Sequence, residues 1–311
     1  MVFMGTPALA AHILDRLISH KGPEFEVVAA VTRPDRPRGR GLTLEACEVA
    51  AMAERYNLPV LKPEKIRSEE FLRELKSFEP DLLVVVAYGR ILPTAVLEAP
   101  RLMPVNIHAS ILPRYRGAAP IEAALLAGDP VTGVTIMRIT EQMDAGPILL
   151  QREIPIAPEE TQATLKSKLA ELGAQAMLEA LALFARGEIR ELAQDESQVS
   201  YCRPVKKEDA IIDWRIDARQ IEAMTRAYNP WPIARTKLGG QELLIYRAAV
   251  EDRGESDNSP GTIVRVEPVP LVQCGIGALS LLEVQAPGRK RMAAGDFMRG
   301  RRITAGQRFS Q

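Results

Sequence analysis

Asn106 and His108 stand two residues apart in a short alternating run, Val105-Asn106-Ile107-His108-Ala109-Ser110. In an extended strand every second side chain points to the same face, so the amide and the imidazole are presented together, opposite Val105, Ile107 and Ala109. Pro113 and Gly117 then bracket a turn, which sets the pair at a strand end, where open α/β sheets keep their ligand crevice. The amide supplies hydrogen-bond donors, and the imidazole carries a proton near neutral pH. The same pair also serves, in many strands, as plain hydrogen-bonded structure. Asp144 precedes Ala145-Gly146-Pro147 just beyond another strand, a place where Asp commonly stabilises a turn. It becomes chemically interesting only if the fold carries it to His108.

These residues need a sheet to hold them, and the first half of the chain reads as one. Val2-Phe3-Met4, Phe25 to Thr32, Val60-Leu61, Asp81 to Gly89 and Gly133 to Ile139 read as strands. They alternate with helical spacing at Leu9 to Leu17, Leu44 to Tyr56, Ser68 to Phe78, Pro120 to Leu126 and Thr161 to Ala185. The Asp81 run is apolar without interruption and so predicts a central parallel strand buried on both faces. Alternating strands and helices imply right-handed crossovers and a mostly parallel sheet. A polar stretch over residues 188–209 reads as a linker. Beyond it, after a helix from Asp217 to Tyr228, short runs punctuated by Gly239-Gly240, Asn258-Ser259-Pro260-Gly261 and Gly275-Ile276-Gly277 predict a small antiparallel barrel or sandwich, with the OB type among the candidates. The expected organisation is therefore a catalytic domain at 1–187, a linker at 188–209 and a smaller β domain at 210–311.

Composition limits the partners. The chain has 311 residues, 46% apolar and 26% charged, ordinary values for a globular protein of two domains. No apolar run approaches the ~20 residues that span a bilayer, and no signal pattern opens the chain, so the expectation is a cytoplasmic protein with no membrane partner. The three cysteines, Cys47, Cys202 and Cys274, are far apart and the histidines number only three, so neither a disulfide framework nor a metal centre is expected. Formal net charge is +0, so any nucleic acid must be met by local basic patches. Two offer themselves: Arg33 to Gly41, which reads as an irregular loop carrying Arg36, Arg38 and Arg40, and the pair of clusters Arg289-Lys290-Arg291 and Arg299-Gly300-Arg301-Arg302. Such clusters are as often solvated faces as phosphate contacts. Nothing in the sequence calls for an oligomer, so a monomer is expected.

Taken together, Asn106-Ile107-His108 with Ser110-Ile111-Leu112-Pro113 and Asp144-Ala145-Gly146 resemble the Asn, His and Asp set of the folate-dependent formyltransferases. The resemblance extends along nearly the whole chain, through Phe3-Met4-Gly5-Thr6-Pro7, Pro34-Asp35-Arg36-Pro37, Val84 to Gly89, Arg114 to Pro120, Ile212-Asp213-Trp214 and Asn229-Pro230-Trp231-Pro232. It is nearest to the branch that acts on methionyl-tRNA. The resemblance implies a Rossmann-like domain followed by an OB-like barrel, and 10-formyltetrahydrofolate as formyl donor with initiator methionyl-tRNA as acceptor. It further implies Asn106, His108 and Asp144 as the catalytic set. The folate would lie along Tyr88, Gly89, Ile91 and Leu92 and the turn of Ser110, Ile111, Leu112 and Pro113, with Arg36, Arg38 and Arg40 on the tRNA.

Overall fold

The structure, a computed structural model, describes residues 1–20, 22, 25–38, 43–251 and 258–310, with side chains 38, 43 and 44 left aside. Arg40 and Gly41 lie outside the described residues. The chain forms two compact units: the first comprises residues 1–120, 131–155 and 166–202, the second 121–130, 156–165 and 203–311.

The first unit is built on the strands β1 (Val2–Gly5), β2 (Ala29–Val31), β5 (Val60–Leu61), β6 (Leu82–Val86), β7 (Met103–His108), β9 (Val131–Arg138) and β10 (Ile148–Pro155). Their order across the sheet is β10-β9-β7-β6-β1-β2-β5. The strands from β5 to β7 are parallel; β9 runs antiparallel to β7, and β10 antiparallel to β9. All five residues of β6 are buried, as its continuous apolar run requires. Helix α1 (Ala8–Ser19) follows β1 through Gly5, where an added Cβ would sit 2.7 Å from the Ala10 methyl. Helix α3 (Glu69–Ser77) starts on Ser68, whose hydroxyl accepts from the Phe71 amide, and carries Glu69 and Glu70 in its first turn, where the helix dipole favours them. Chain order reverses between β1 and β6, and this switch point leaves a crevice beyond the strands' carboxyl ends. The Thr6 hydroxyl donates to the Tyr88 carbonyl there.

In the second unit a sheet runs β14 (Ile263–Arg265), β15 (Leu271–Gln273), β16 (Ala278–Gln285), β13 (Gln241–Glu251), β12 (Ala234–Leu238) and β18 (Phe309–Ser310), with β17 (Met292–Ala293) on β16. The first and last strands meet: the Phe309 amide donates to the Gly261 carbonyl at 2.9 Å, and the Ile263 amide to the Gln307 carbonyl at 2.8 Å. The result is a nearly closed antiparallel barrel, which leaves little unpaired edge. Buried Trp214 stacks on Phe309 and donates to the Thr236 hydroxyl, seating the entry segment on the barrel.

Three sequence expectations need correction. Arg33 to Gly41 is not irregular throughout, since β3 (Arg36–Arg38) pairs with β4 (Thr43–Glu45) in a two-stranded ribbon. Pro37 is tolerated because a strand of such a ribbon has a free edge where no N–H is needed. The helix expected from Leu44 begins only at Glu48, as α2 (Glu48–Arg55). The stretch 188–209 is divided, because residues 188–202 belong to the first unit and end in β11 (Tyr201–Cys202). Most of its residues are exposed, but Gln194 and Glu196 within it spend their polar groups on a buried arginine, as described below. Strand β10 was not anticipated.

Candidate active site

β7 ends at His108, with Ile107 on the face opposite Asn106 and His108. That opposite face is covered by α6 (Gln162–Arg186), which comes so near at Gly173 that an added Cβ would lie 3.1 Å from the Ile107 methyl. Asn106 and His108 thus face away from α6. Asp144 reaches them from the turn after β9, 38 residues from Asn106 in sequence. The Asn106 amide donates to Asp144 Oδ1 at 3.4 Å, and His108 Nδ1 stands 3.7 Å from Asp144 Oδ2. His108 is 6% exposed and the Asp144 side chain 16%, so solvent screening of the pair is weak.

The other imidazole nitrogen settles the tautomer. His108 Nε2 is 2.9 Å from the Tyr115 carbonyl, which can only accept, so Nε2 carries the hydrogen. Neutral His108 therefore turns a bare Nδ1 towards the Asp144 carboxylate. Tyr115 has φ 64°, a left-handed conformation unusual for a bulky residue, and it is held there from both sides: its amide donates to the Ser200 hydroxyl and its carbonyl also accepts from the Cys202 thiol. Asp144 also has positive φ, 51°, which Asp tolerates better than most residues. Its Oδ2 accepts from the Gly117 amide at 2.9 Å. Gly117 (φ 124°) lies in β8 (Arg116–Gly117), which pairs with β11 so closely that an added Cβ would stand 2.2 Å from the Cys202 carbonyl.

The neighbouring turn is fixed from beneath. Buried Thr135 on β9 donates to the Ser110 carbonyl and accepts from the Leu112 amide; Gln151 on β10 donates to both the Leu112 carbonyl and the Thr135 hydroxyl. The Ser110 hydroxyl, fully buried, donates to the Arg114 carbonyl at 2.6 Å. The arrangement is a strand-end cleft with amide donors, an imidazole and a carboxylate converging on one point. It suits stabilisation of a developing oxyanion together with proton transfer.

Residues 1–181 match the family model described as formyl transferase, and residues 204–302 match that of the formyl transferase C-terminal domain. The chain belongs to the formyl transferase family. It is 46% identical over 309 residues to the methionyl-tRNA formyltransferase of Methylococcus capsulatus, covering 99% of each chain. Among solved structures, HypX of Aquifex aeolicus in complex with tetrahydrofolic acid superposes with a TM-score of 0.60 at 19% identity, over 96% of this chain and 46% of that one. The N-formyltransferase of Helicobacter canadensis, solved with folinic acid and dTDP-3-aminofucose, does so with 0.67 at 16% identity, over 92% and 98%. Both likenesses concern the fold.

Of the residues singled out from the formyltransferase resemblance, Asn106, His108 and Asp144 come together. The suggested folate-contacting residues divide in two. Tyr88, Ser110 and Leu112 have buried side chains, at 1%, 0% and 2% exposure, and can meet a ligand only through backbone groups; Ile91 is 87% exposed, Gly89 (φ 77°) is exposed, and Leu92, Ile111 and Pro113 are half-buried. The chain leaves the sheet after Val86 and turns at Ala87 (φ 45°) and Gly89, which frees backbone groups of 87–92 from β pairing. That fits a ligand recognised by main-chain hydrogen bonds. Arg36 is exposed on the β3–β4 ribbon; Arg38 has its backbone in β3; Arg40 falls outside the described residues. Thr135, Gln151, Gly117, Arg116 and Gln194 were missed. Thr135 left a trace as a polar residue inside the apolar run Val134 to Met137, and Gly117 as the end of the turn after Pro113, but neither spoke of its role in the site.

Proposed function

We propose that this chain transfers a formyl group from 10-formyltetrahydrofolate to the free amino group of initiator methionyl-tRNA, acting as a cytoplasmic monomer. The meeting of Asn106, His108 and Asp144 at the end of β7 carries the reading of the chemistry. The acceptor is taken from the full-length likeness to the Methylococcus capsulatus enzyme.

The amine nitrogen attacks the formyl carbon, a new C–N bond forms, and charge gathers on the formyl oxygen. Asn106 uses one amide hydrogen on Asp144 and keeps the other for that oxygen. As the intermediate forms, the amine becomes an ammonium that must lose a proton. His108 Nδ1 is the available base, and once protonated it is an imidazolium held between the Asp144 carboxylate and the Tyr115 carbonyl. When the bond to folate N10 breaks, the same proton passes to that nitrogen, directly or through one water, and the balance closes. Asp144 orients the imidazolium. The α-amine of an aminoacyl ester needs no strong base for the first step, since α-amino groups titrate near ~8.

For the folate, backbone groups of Tyr88 to Leu92 and of Ser110 to Pro113 would read the pterin. For the tRNA, Arg36, Arg38 and Arg40 would contact phosphates, with the exposed clusters at 289–291 and 299–302 as further contacts. The test is to incubate purified protein with 10-formyltetrahydrofolate and, in separate reactions, charged initiator methionyl-tRNA, charged elongator methionyl-tRNA or free methionine, following formylmethionine. Transfer to the initiator alone is expected. No transfer to any acceptor, with folate bound, would overturn the tRNA assignment and point to a small amine.

A further inference from the structure

The turn that carries Asp144 is secured by a residue 50 positions further along the chain. The Gln194 side-chain amide donates to the carbonyl of Asp144 and to that of Gly146, each at 2.8 Å. Its oxygen accepts twice from one guanidinium, from Arg116 Nε at 2.9 Å and Nη2 at 2.7 Å. Gln194 thereby uses both donors and both lone pairs, the full capacity of a primary amide. Arg116 is 2% exposed, and two more of its five N–H groups donate to Glu196, Nη2 to Oε1 at 2.7 Å and Nη1 to Oε2 at 3.3 Å. A buried arginine with so complete a set of partners is a fixed point rather than a mobile charge.

Arg116 also neighbours Gly117, the residue whose amide holds Asp144 Oδ2. One rigid residue is therefore tied to Asp144 along two routes: through its own backbone to the carboxylate, and through Gln194 to the carbonyls that fix the left-handed turn. Ser200 completes the strap, accepting from the Arg116 amide with its carbonyl and from the Tyr115 amide with its hydroxyl. The carbonyl of Tyr115 is the one that fixes the His108 tautomer.

We infer that Gln194 is a positioning residue for formyl transfer, which, clamped by Arg116 and Glu196, holds the Asp144–Gly146 turn so that the carboxylate faces His108 Nδ1. This rests on the reading of Asp144 as part of the reacting site. The chemistry requires a glutamine. A glutamate would bind Arg116 at least as well but would set a carboxylate against two carbonyls; a methionine would keep the length and lose every hydrogen bond. A merely structural anchor for Arg116 would be served by glutamate, whereas a holder of the turn would not.

The experiment compares Gln194→Met and Gln194→Glu with the parent protein in steady-state formylation, with thermal unfolding as the check on folding. Displacement of a reacting group by about an ångström costs up to about 100-fold in rate. Both variants should lose about 10- to 100-fold in kcat while KM for folate and for tRNA stays within about twofold. In an Asp144→Asn background, Gln194→Met should add little further loss, because the two residues act as a unit. Wild-type kcat in Gln194→Glu would overturn the inference, as would a loss confined to KM or an undiminished loss in the Asp144→Asn background. Should Gln194→Met fail to fold, the near-isosteric Gln194→Glu alone decides. Full activity of Asp144→Asn by itself would instead overturn the placement of Asp144 in the reacting site, an outcome separate from all of these.

Discussion

Arg116 and Arg302 show two uses of the same side chain. In the first unit, Arg116 is buried with four of its five N–H groups donated to Gln194 and Glu196, and the order it imposes is passed to Asp144 and Tyr115. In the second unit, Arg289, Lys290, Arg291, Arg299, Arg301 and Arg302 are all exposed, over a nearly closed barrel with a largely apolar interior. Some of these rest on neighbours, Arg291 on the Tyr246 ring at 3.6 Å and Arg299 beside Asp296 and Glu267, yet their charges stay in solvent. Buried charge fixes geometry, and exposed charge attracts anions at long range. The buried charge of the first unit should therefore govern turnover, and the exposed basic clusters, most of them in the second unit, should govern attachment of a polyanion. The sharpest way to break this division is to exchange the symptoms.

The largest effect belongs to Asn106→Ala. Removing one oxyanion donor costs about 3–4 kcal/mol in comparable sites, a fall of about 100- to 1000-fold in kcat. KM for both substrates should hardly move, because the interaction matures only as charge develops. A rise in tRNA KM with kcat intact would place Asn106 in binding and erase the contrast between the units.

Next comes the double substitution Arg301→Ala and Arg302→Ala, with Arg36→Ala as its counterpart on the β3–β4 ribbon. Each lost phosphate contact should lower the slope of log affinity against log salt by about 1, weakening tRNA at low salt far more than at high salt. KM for folate and kcat at saturating tRNA should stay at the parent values. If the barrel pair alters kcat while Arg36→Ala does nothing, exposed charge in the second unit is doing more than attracting the tRNA.

The same contrast explains what the sequence disclosed. Asn106 and His108 could be paired because β alternation is local, and Asp144 joined them only through the family resemblance. The continuous apolar run of β6 and the turn-rich tail marked the parallel sheet and the barrel for similar reasons. Gln194 and Glu196 left no such mark. In a polar stretch, a glutamine that fills the bonding capacity of a buried guanidinium looks the same as one in water, so 188–209 read as a linker when its first part is a strap on the site. The β3–β4 ribbon was hidden by Pro37, which argues against strands except at an edge. The ribbon was masked by a local residue, whereas the partner that gives Gln194 its meaning lies 78 positions away in sequence.

The smallest expected effect concerns the exposed end of the strap. Glu196 has its carboxyl held below the usual range by the hydrogen bond from Arg116. A depressed carboxyl contributes stability that is present above its unfolded value, about 4.3, and is lost as pH falls through the lower folded value. Glu196→Gln should therefore melt below the parent at neutral pH, and the two melting curves should converge as the medium is acidified past that range. The carboxylate is 70% exposed, so salt should shrink the neutral-pH difference. Formylation by Glu196→Gln should fall far less than in Gln194→Met, since Gln194 still binds Arg116 through Nε and Nη2. Equal losses in the two variants would mean that the charge on Arg116, and not the amide of Gln194, sets the turn. The buried arginine would then need its carboxylate as much as the exposed arginines of the barrel need their anion.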